Sequence, residues 1–392
     1  MHSLLTGLSE GMHVPDARLF AIALAALAAC ILWLSFAAWR HRRHLQAVPV
    51  RIHVAGTRGK STTTRLIAAG LRAGGRQVLA KTTGSQPRLI LPDGSEEVWP
   101  RRGPASIREQ ARLLARAAKL RADTVVVECM AIRPQLVWAS ETHLMQATTA
   151  VITNARADHF EDIGEAPEAM AEALRFAVPA GGALVVAAEA AAPALRAWAA
   201  ERGTAVTVVG TADLTPLAAD RALALAVCAA HGVAEAIAGA AMDAAATEPG
   251  SFFERTLSVG GKTVRFANAF ACNDVASLAL LWSMVKGASE PVVLLNARRD
   301  RPLRTKAFVA FLAAQAPTPL LFVTGDPLAI RLARRAGFTA DAVRRLRGHT
   351  PEAALAELAA PAPSNGVIWG VGNFQGFGAR LIAELFARSS TC

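Results

Sequence analysis

The chain has 392 residues, 53% of them hydrophobic and many of them alanine, and carries a formal net charge of +11. That length holds two ordinary domains, and the positive balance suits anionic partners such as nucleotide, acidic substrate, nucleic acid or anionic lipid. Five scattered cysteines (Cys30, Cys129, Cys228, Cys272, Cys392) form no C-x-x-C pair, which argues against a disulfide framework or a zinc site and fits a reducing compartment.

Residues 1–18 are short and mixed, and are expected to be poorly ordered. Leu19–Trp39 follows as 21 residues without a charge, enough helix to cross a hydrocarbon core of roughly 30 Å. Arg40, His41, Arg42, Arg43 and His44 come next, and the positive-inside rule places that flank and the bulk of the chain in the cytoplasm. A cleaved signal peptide would carry its charges before the apolar run and a small-residue site after it. A buried helix of a soluble domain is the competing reading. The expectation is a single-pass anchor in the cell (inner) membrane, with tail and anchor over residues 1–45.

Val50, Ile52 and Val54 alternate with Arg51 and His53 as in a short strand, which runs into Gly56-Thr57-Arg58-Gly59-Lys60-Ser61-Thr62 and then a helix through Leu66 and Ile67. Strand, glycine loop, lysine, hydroxyl and helix make a phosphate cradle. Glycines let backbone N–H groups turn inward, and the helix N-terminus adds positive dipole. Lys60 reaches the outer phosphates, and Ser61 can ligate Mg²⁺. The strict P-loop spelling has Gly where Val54 stands, so this is a variant. A nucleoside triphosphate is expected here.

Gly74-Gly75 stops that helix. A strand over Val78–Ala80 delivers a second hydroxyl-rich loop, Lys81-Thr82-Thr83-Gly84-Ser85. Ile107, Ala111, Leu114 and Ala118 recur at helical spacing. Thr124–Val127 is a buried-strand run ending on Glu128, and Thr149–Thr153 a further strand ending on Asn154 and leading to Asp158-His159. Helix Pro167–Phe176 and strand Ala183–Val186 continue the alternation, with helices expected around Val206–Val209. The pattern predicts an α/β fold with a mostly parallel sheet and helices on both faces. Lys60, Thr82, Glu128 and His159 then gather beyond the carboxyl ends of the strands, where such sheets bind ligands.

Phe252–Leu257 and Thr263–Ala267 flank Gly260-Gly261 as a β-hairpin, with a domain boundary expected just after it. The central domain is therefore read as 46–268 and a smaller, Rossmann-like α/β domain as 269–392. In the latter, helix Asp274–Val285, strand Pro291–Asn296, helix Thr305–Ala314 and strand Leu320–Val323 precede a last strand, Val367–Gly370, and the glycine-rich Gly370–Gly378.

Glu128 at a strand end can hold the metal of a P-loop site, or be an ordinary strand-end carboxylate. His159 reads as a metal ligand, a phosphate contact or a structural histidine, with Asp158 placed to orient its ring.

The motifs G-T-R-G-K-S-T, V-V-E-C-M-A, V-I-T-N-A-R-A-D-H, F-A-C-N-D-V-A-S, N-A-R-R-D-R-P-L-R and G-V-G-N-F-Q-G-F-G occur in this order. Together with K-T-T-G-S-Q-P-R at Lys81–Arg88, they resemble the Mur-ligase superfamily. Within it they are most similar to the membrane-anchored ligase subunits of poly-γ-glutamate synthases (the PgsB/CapB family), over about residues 40–385. The resemblance implies an ATP-dependent, ADP-forming amide ligase that polymerises glutamate through its γ-carboxyl by way of an acyl phosphate, with ATP and Mg²⁺ as cofactors. It implies catalytic roles for Lys60, Glu128 and His159, with Ser61 and Glu128 on one metal and His159 on a second. It places Gly56–Thr62 and Asn273 on the nucleotide, Asp300 and Arg304 on its ribose and phosphates when the C-terminal domain closes, and Lys81, Thr82, Thr83 and Arg88 in a substrate loop.

Two departures bear on this. The UDP-sugar domain of Mur ligases has the anchor in its place, so a peptidoglycan precursor is not the expected substrate. The helix after the D-H motif also lacks the carbamylated lysine of many Mur ligases, which leaves Glu161, Asp162 or water for the second metal. The expected partners are glutamate, growing poly-γ-glutamate in capsule biosynthesis, and an integral membrane subunit; an oligomer is compatible. A folylpolyglutamate-like ligase and a membrane-tethered ATPase powering transport or assembly are the alternatives. The basic residues form no stripe with interleaved aromatics, so nucleic acid is not expected.

Overall fold

The computed structural model describes residues 17–83, 87–101, 103–131, 133–155, 167–212, 214–245, 252–270, 272, 274–285 and 290–387. The chain divides into two compact units, Met1–Lys81 with Leu89–Met242, and Thr82–Arg88 with Asp243–Cys392.

Helix α1, Ala17–Ala47, carries the apolar run and continues unbroken through the basic flank. It is long and apolar enough to cross a membrane, and none of its most apolar 18-residue window is buried. Leu45 and Val48, by contrast, are buried against Leu113, Leu114, Ala117 and Met145.

The first unit then runs β1 (Val50–Ala55), α2 (Lys60–Ala73), β2 (Val78–Thr82), β3 (Arg88–Ile90), β4 (Glu96–Val98), α3 (Glu109–Lys119) and β5 (Thr124–Glu128). After α4 (Pro134–Ala139) the chain makes a π-helical turn, Ser140–Met145, before β6 (Thr149–Ile152) and α5 (Pro167–Arg175). It closes with β7 (Ala183–Ala187), α6 (Pro193–Glu201), β8 (Ala205–Val209), α7 (Pro216–Ala230) and α8 (Glu235–Asp243). The strands form one sheet in the order β4-β3-β2-β5-β1-β6-β7-β8. The pairs from β2 to β8 are parallel, so β1 and its loop lie between β5 and β6.

Two expectations are corrected here. Val206–Val209 is strand rather than helix: its β-branched run pairs in parallel with β7. The hairpin, β9 (Glu254–Val259) and β10 (Lys262–Ala269), belongs to the second unit, so the boundary precedes it instead of falling at 268. The reason is long-range pairing, since β10 runs parallel to the much later β14 (Val367–Gly372), Arg265 opposite Val367.

Between them lie α9 (Val275–Met284), β11 (Val292–Ala297), α10 (Pro302–Ala313), β12 (Leu320–Gly325), α11 (Leu328–Arg335), β13 (Val343–Arg345) and α12 (Pro351–Ala359), with α13 (Phe377–Ala387) last. This sheet has the order β13-β12-β11-β14-β10-β9. One face packs on α9–α11 around the fully buried Trp369, and the other on α12 and α13.

Candidate active site

Val54 on β1 stands opposite Glu128 on β5, so the glycine loop and the acidic strand end arrive together at the C-terminal edge of the sheet. The loop turns through positive φ at Gly56 (123°) and Gly59 (77°), a region that L side chains rarely adopt. A Cβ on Gly56 would lie 2.1 Å from Thr153 Oγ1, and one on Gly59 would lie 2.0 Å from Asp220 Oδ1. The end of β6 and helix α7 therefore back the loop at van der Waals range.

Asn154 clamps it. Thr57 Oγ1 and Arg58 N donate to Asn154 Oδ1 at 2.5 and 2.9 Å, and Asn154 Nδ2 donates to Arg58 O at 3.0 Å. Thr153 Oγ1 adds a bond to Arg58 O at 2.5 Å. These contacts hold the loop backbone in place before any ligand arrives. Lys60 folds back over the loop, its Nζ donating to Gly56 O at 2.8 Å and Thr57 O at 3.3 Å. Ser61 Oγ, in the first turn of α2, donates to Glu128 Oε2 at 2.7 Å, and Glu128 is only 5% exposed.

A fixed glycine cradle, an ammonium across it and a hydroxyl–carboxylate pair beside it supply hard oxygen ligands and one point charge, the chemistry a Mg²⁺–nucleoside triphosphate would need. The residues fit that group.

A buried polar cluster surrounds His53 on β1. His53 Nδ1 donates to Glu141 Oε2 at 2.8 Å, Gln110 closes its other side, and Ser140 Oγ donates to Gln110 Oε1 at 2.7 Å. Burial opposes the imidazolium, but Cys129 and Glu141 outweigh it and raise the His53 pKa to about 10.

Lys81 is corrected as a substrate-loop residue. It is fully buried on β2, and its Nζ lies 2.9 Å from Glu109 Oε2 and 5.3 Å from the Trp99 ring centroid. Arg101 holds the other Glu109 oxygen at 2.9 Å. Burial pushes the Lys81 pKa down, opposed by Glu109. Its strand position points it into the unit, which the K-T-T-G-S pattern does not reveal. Thr82 is buried at the end of β2, Thr83 follows it, and Arg88 opens β3. Gly84, Ser85, Asp158, His159, Glu161, Asp162 and Asn273 lie outside the described residues.

In the second unit, Asp300 accepts two bonds from Arg298, at 2.9 and 2.6 Å, which hold its carboxyl below the usual range. Arg298 also reaches Gln375 Oε1 at 2.5 Å, and Arg304 reaches Asn373 Oδ1 at 3.4 Å. Asn296 at the end of β11 donates to Asn373 O at 2.6 Å and Gln375 O at 2.9 Å. Asp300 and Arg304 thus share one polar constellation over the ends of β11 and β14. The sequence reading missed Thr153, Asn154 and Asp220 as loop supports, and Asn296, Asn373 and Gln375 in the second constellation. Strand-end position was the available signal for Asn154, Asn296 and Asn373; Asp220 had none.

The family model described as Mur ligase middle domain matches residues 54–230, and that described as poly-gamma-glutamate synthase CapB C-terminal domain matches residues 254–388. The chain is 30% identical over 365 residues to PGA synthase CapB of Bacillus subtilis (strain 168), a match covering 88% of this chain and 92% of that one. It is also 30% identical over 360 residues to the capsule biosynthesis protein CapB of Bacillus anthracis, covering 87% and 77%. Among solved structures, Escherichia coli FolC in complex with ADP superposes with a TM-score of 0.64 at 18% identity, covering 92% of this chain and 98% of that one. That last likeness is one of fold.

Proposed function

Because the chain belongs to the CapB family of poly-γ-glutamate synthases, we propose that it is an ATP-dependent, ADP-forming amide ligase that joins glutamates through their γ-carboxyl groups. The observation that carries this is the Ser61–Glu128 hydrogen bond, 2.7 Å long, beside a glycine loop already clamped by Asn154.

In the reaction, a γ-carboxylate oxygen attacks the terminal phosphorus of ATP and ADP leaves. The amine of a second glutamate then attacks the acyl carbon, phosphate leaves, and the amine loses its proton. Ser61 and Glu128 would hold Mg²⁺, which when bound neutralises charge on the transferring phosphoryl group. Lys60 exchanges its carbonyl partners for the outer phosphates and supplies fixed positive charge there. The Gly56–Gly59 backbone cradles the phosphates, held by Asn154 and Thr153, with Thr57, Arg58 and Thr62 lining the same turn.

By family likeness, His159 serves a second metal, Asn273 contacts the adenine side, Asp300 and Arg304 grip ribose and phosphates, and Thr82, Thr83 and Arg88 border the acceptor. In place of the family's carbamylated lysine, Glu161, Asp162 or water completes the second metal. Helix α1 anchors the chain in the cell membrane with the two units cytoplasmic. A charged polymer cannot cross along one apolar helix, so an integral membrane subunit completes the assembly.

Membranes bearing the chain, incubated with ATP, Mg²⁺ and labelled glutamate, should yield acid-stable γ-linked polymer together with ADP. Nucleotide turnover indifferent to glutamate would favour a tethered ATPase, and release of AMP would exclude the acyl-phosphate route.

A further inference from the structure

The anchor joins the ligase unit with no linker. Leu45, buried in that unit, lies only six residues past Trp39, about 9 Å along an α-helix. His41 Nε2 donates to Leu144 O at 3.0 Å, and the Arg51 guanidinium donates to Leu45 O and Val48 O at 3.2 and 2.8 Å. The helix end is thereby docked against the π-helical turn and the start of β1. That is the N-terminal edge of the sheet, opposite the glycine loop.

The same edge is assembled by main-chain bonds from segment to segment. Val50 N donates to Asp123 O, Asp123 N to Gln77 O, Thr148 N to Arg51 O, Ala183 N to Thr148 O, and Gly181 N to Arg202 O. The turns that enter β2, β5, β6, β7 and β8 therefore lie side by side with the end of α1. They carry Arg76, Lys119, Arg121 and Arg202, the second and third of them exposed, beside exposed Leu120. Arg40, Arg42 and Arg43 are exposed on the adjoining helix. Among the described residues the acids there include Glu201, Asp123, which accepts from Gln77 N and Thr124 Oγ1, and exposed Asp93, whose turn packs against Arg72 at the end of α2. A cavity of about 390 Å³ opens in this edge between Arg51 and Arg202; its one acid, Glu141, is engaged by His53 and Ala147 N.

We infer that this basic N-terminal edge, continuous with α1, rests on the anionic headgroups of the leaflet through which the anchor enters, leaving the catalytic edge turned away from the lipid. Two things carry it: a helix too short between span and docked residue to let the unit swing clear, and positive charge gathered where the bilayer surface must be. The inference rests on α1 being a membrane anchor.

The test uses the full chain in nanodiscs of phosphatidylcholine alone or mixed with phosphatidylglycerol, read by amide hydrogen exchange. Carbonate extraction of the same preparation reports insertion separately. Exchange at 74–77, 119–123, 179–183 and 202–205 should slow in the anionic discs. Lys119→Gln and Arg121→Gln should each weaken that protection about fivefold, the size expected for one basic side chain near an anionic leaflet. Equal exchange in both lipids, or protection untouched by these variants, overturns the inference while leaving the anchor in place. Extraction of the chain by carbonate overturns the anchor and the inference together.

Discussion

Ser61 and Glu128 meet across 2.7 Å, one in the first turn of the helix after the glycine loop and the other at the end of the neighbouring strand. The pair joins the two segments that a metal-bound triphosphate would bridge in the proposed site. Glu128→Gln keeps a hydrogen-bond acceptor for Ser61 but removes the charge. Its kcat should fall roughly 10²–10³-fold and its Mg²⁺ requirement rise, with thermal stability little changed. A variant with unchanged rate and Mg²⁺ dependence would leave Glu128 without a part in the chemistry.

Asn154→Ala removes the oxygen to which Arg58 N and Thr57 Oγ1 both donate. A hydrogen bond lost contributes about 0.5–1.5 kcal/mol. Nucleotide affinity should drop by about tenfold or more, equivalent to ~1.4 kcal/mol, through a loop that no longer holds its shape. Calorimetric titration with a non-hydrolysable triphosphate checks this; unchanged affinity would show that the loop needs no clamp.

Gly59→Ala meets two obstacles, a left-handed backbone and a Cβ 2.0 Å from Asp220 Oδ1. Gly75→Ala shares the positive φ, 87°, but has open space around it. Each should lose about 1–2 kcal/mol to the backbone. Only Gly59→Ala should also lose nucleotide binding, measured on the same preparations.

The buried Lys81–Glu109–Arg101 group predicts asymmetric losses. Glu109→Gln leaves an ammonium buried without its counter-charge and should cost about 3–5 kcal/mol. Lys81→Met leaves Glu109 with Arg101 and should cost less, while retaining catalysis once folded. Loss of activity in a Lys81→Met protein of normal stability would restore Lys81 to the substrate site. Burial raises the Glu109 pKa, but Arg101 and Lys81 outweigh it and hold it below 4.5. The unfolded chain therefore binds the proton first on acidification. This contribution is fully present above 4.5 and disappears as pH falls through the depressed value, so the acid-side loss of stability should be shallower in Glu109→Gln than in wild type.

The glycine loop and its flanking strand and helix were legible because they are one continuous, local pattern. Glu128 was legible as a carboxylate ending a buried parallel strand, and its partner Ser61 came with the motif. Asp220 was not, since it sits in an alanine-rich helix with no pattern of its own and reaches Gly59 only through tertiary packing. Lys81 misled because a hydroxyl-rich stretch after a strand looks the same whether its first residue points outward or into an ion pair. The β3 and β4 strands, three residues each, are too short for a period to register. The β9–β10 hairpin is legible as a hairpin, but the unit it joins is not, because its partner β14 lies about a hundred positions away.

The most direct test of a Lys60–Ser61–Glu128 ligase site is the stoichiometry of nucleotide and bond. Full-length chain in membranes would be supplied with ATP, Mg²⁺ and glutamate, and ADP, phosphate and new γ-amide bonds counted on one sample, beside Lys60→Ala. One ADP and one phosphate per amide bond are expected, with all three lost together in Lys60→Ala and membrane content unchanged. Amide bonds formed at the normal rate by Lys60→Ala, or ADP released without any amide bond in the wild-type chain, would contradict it.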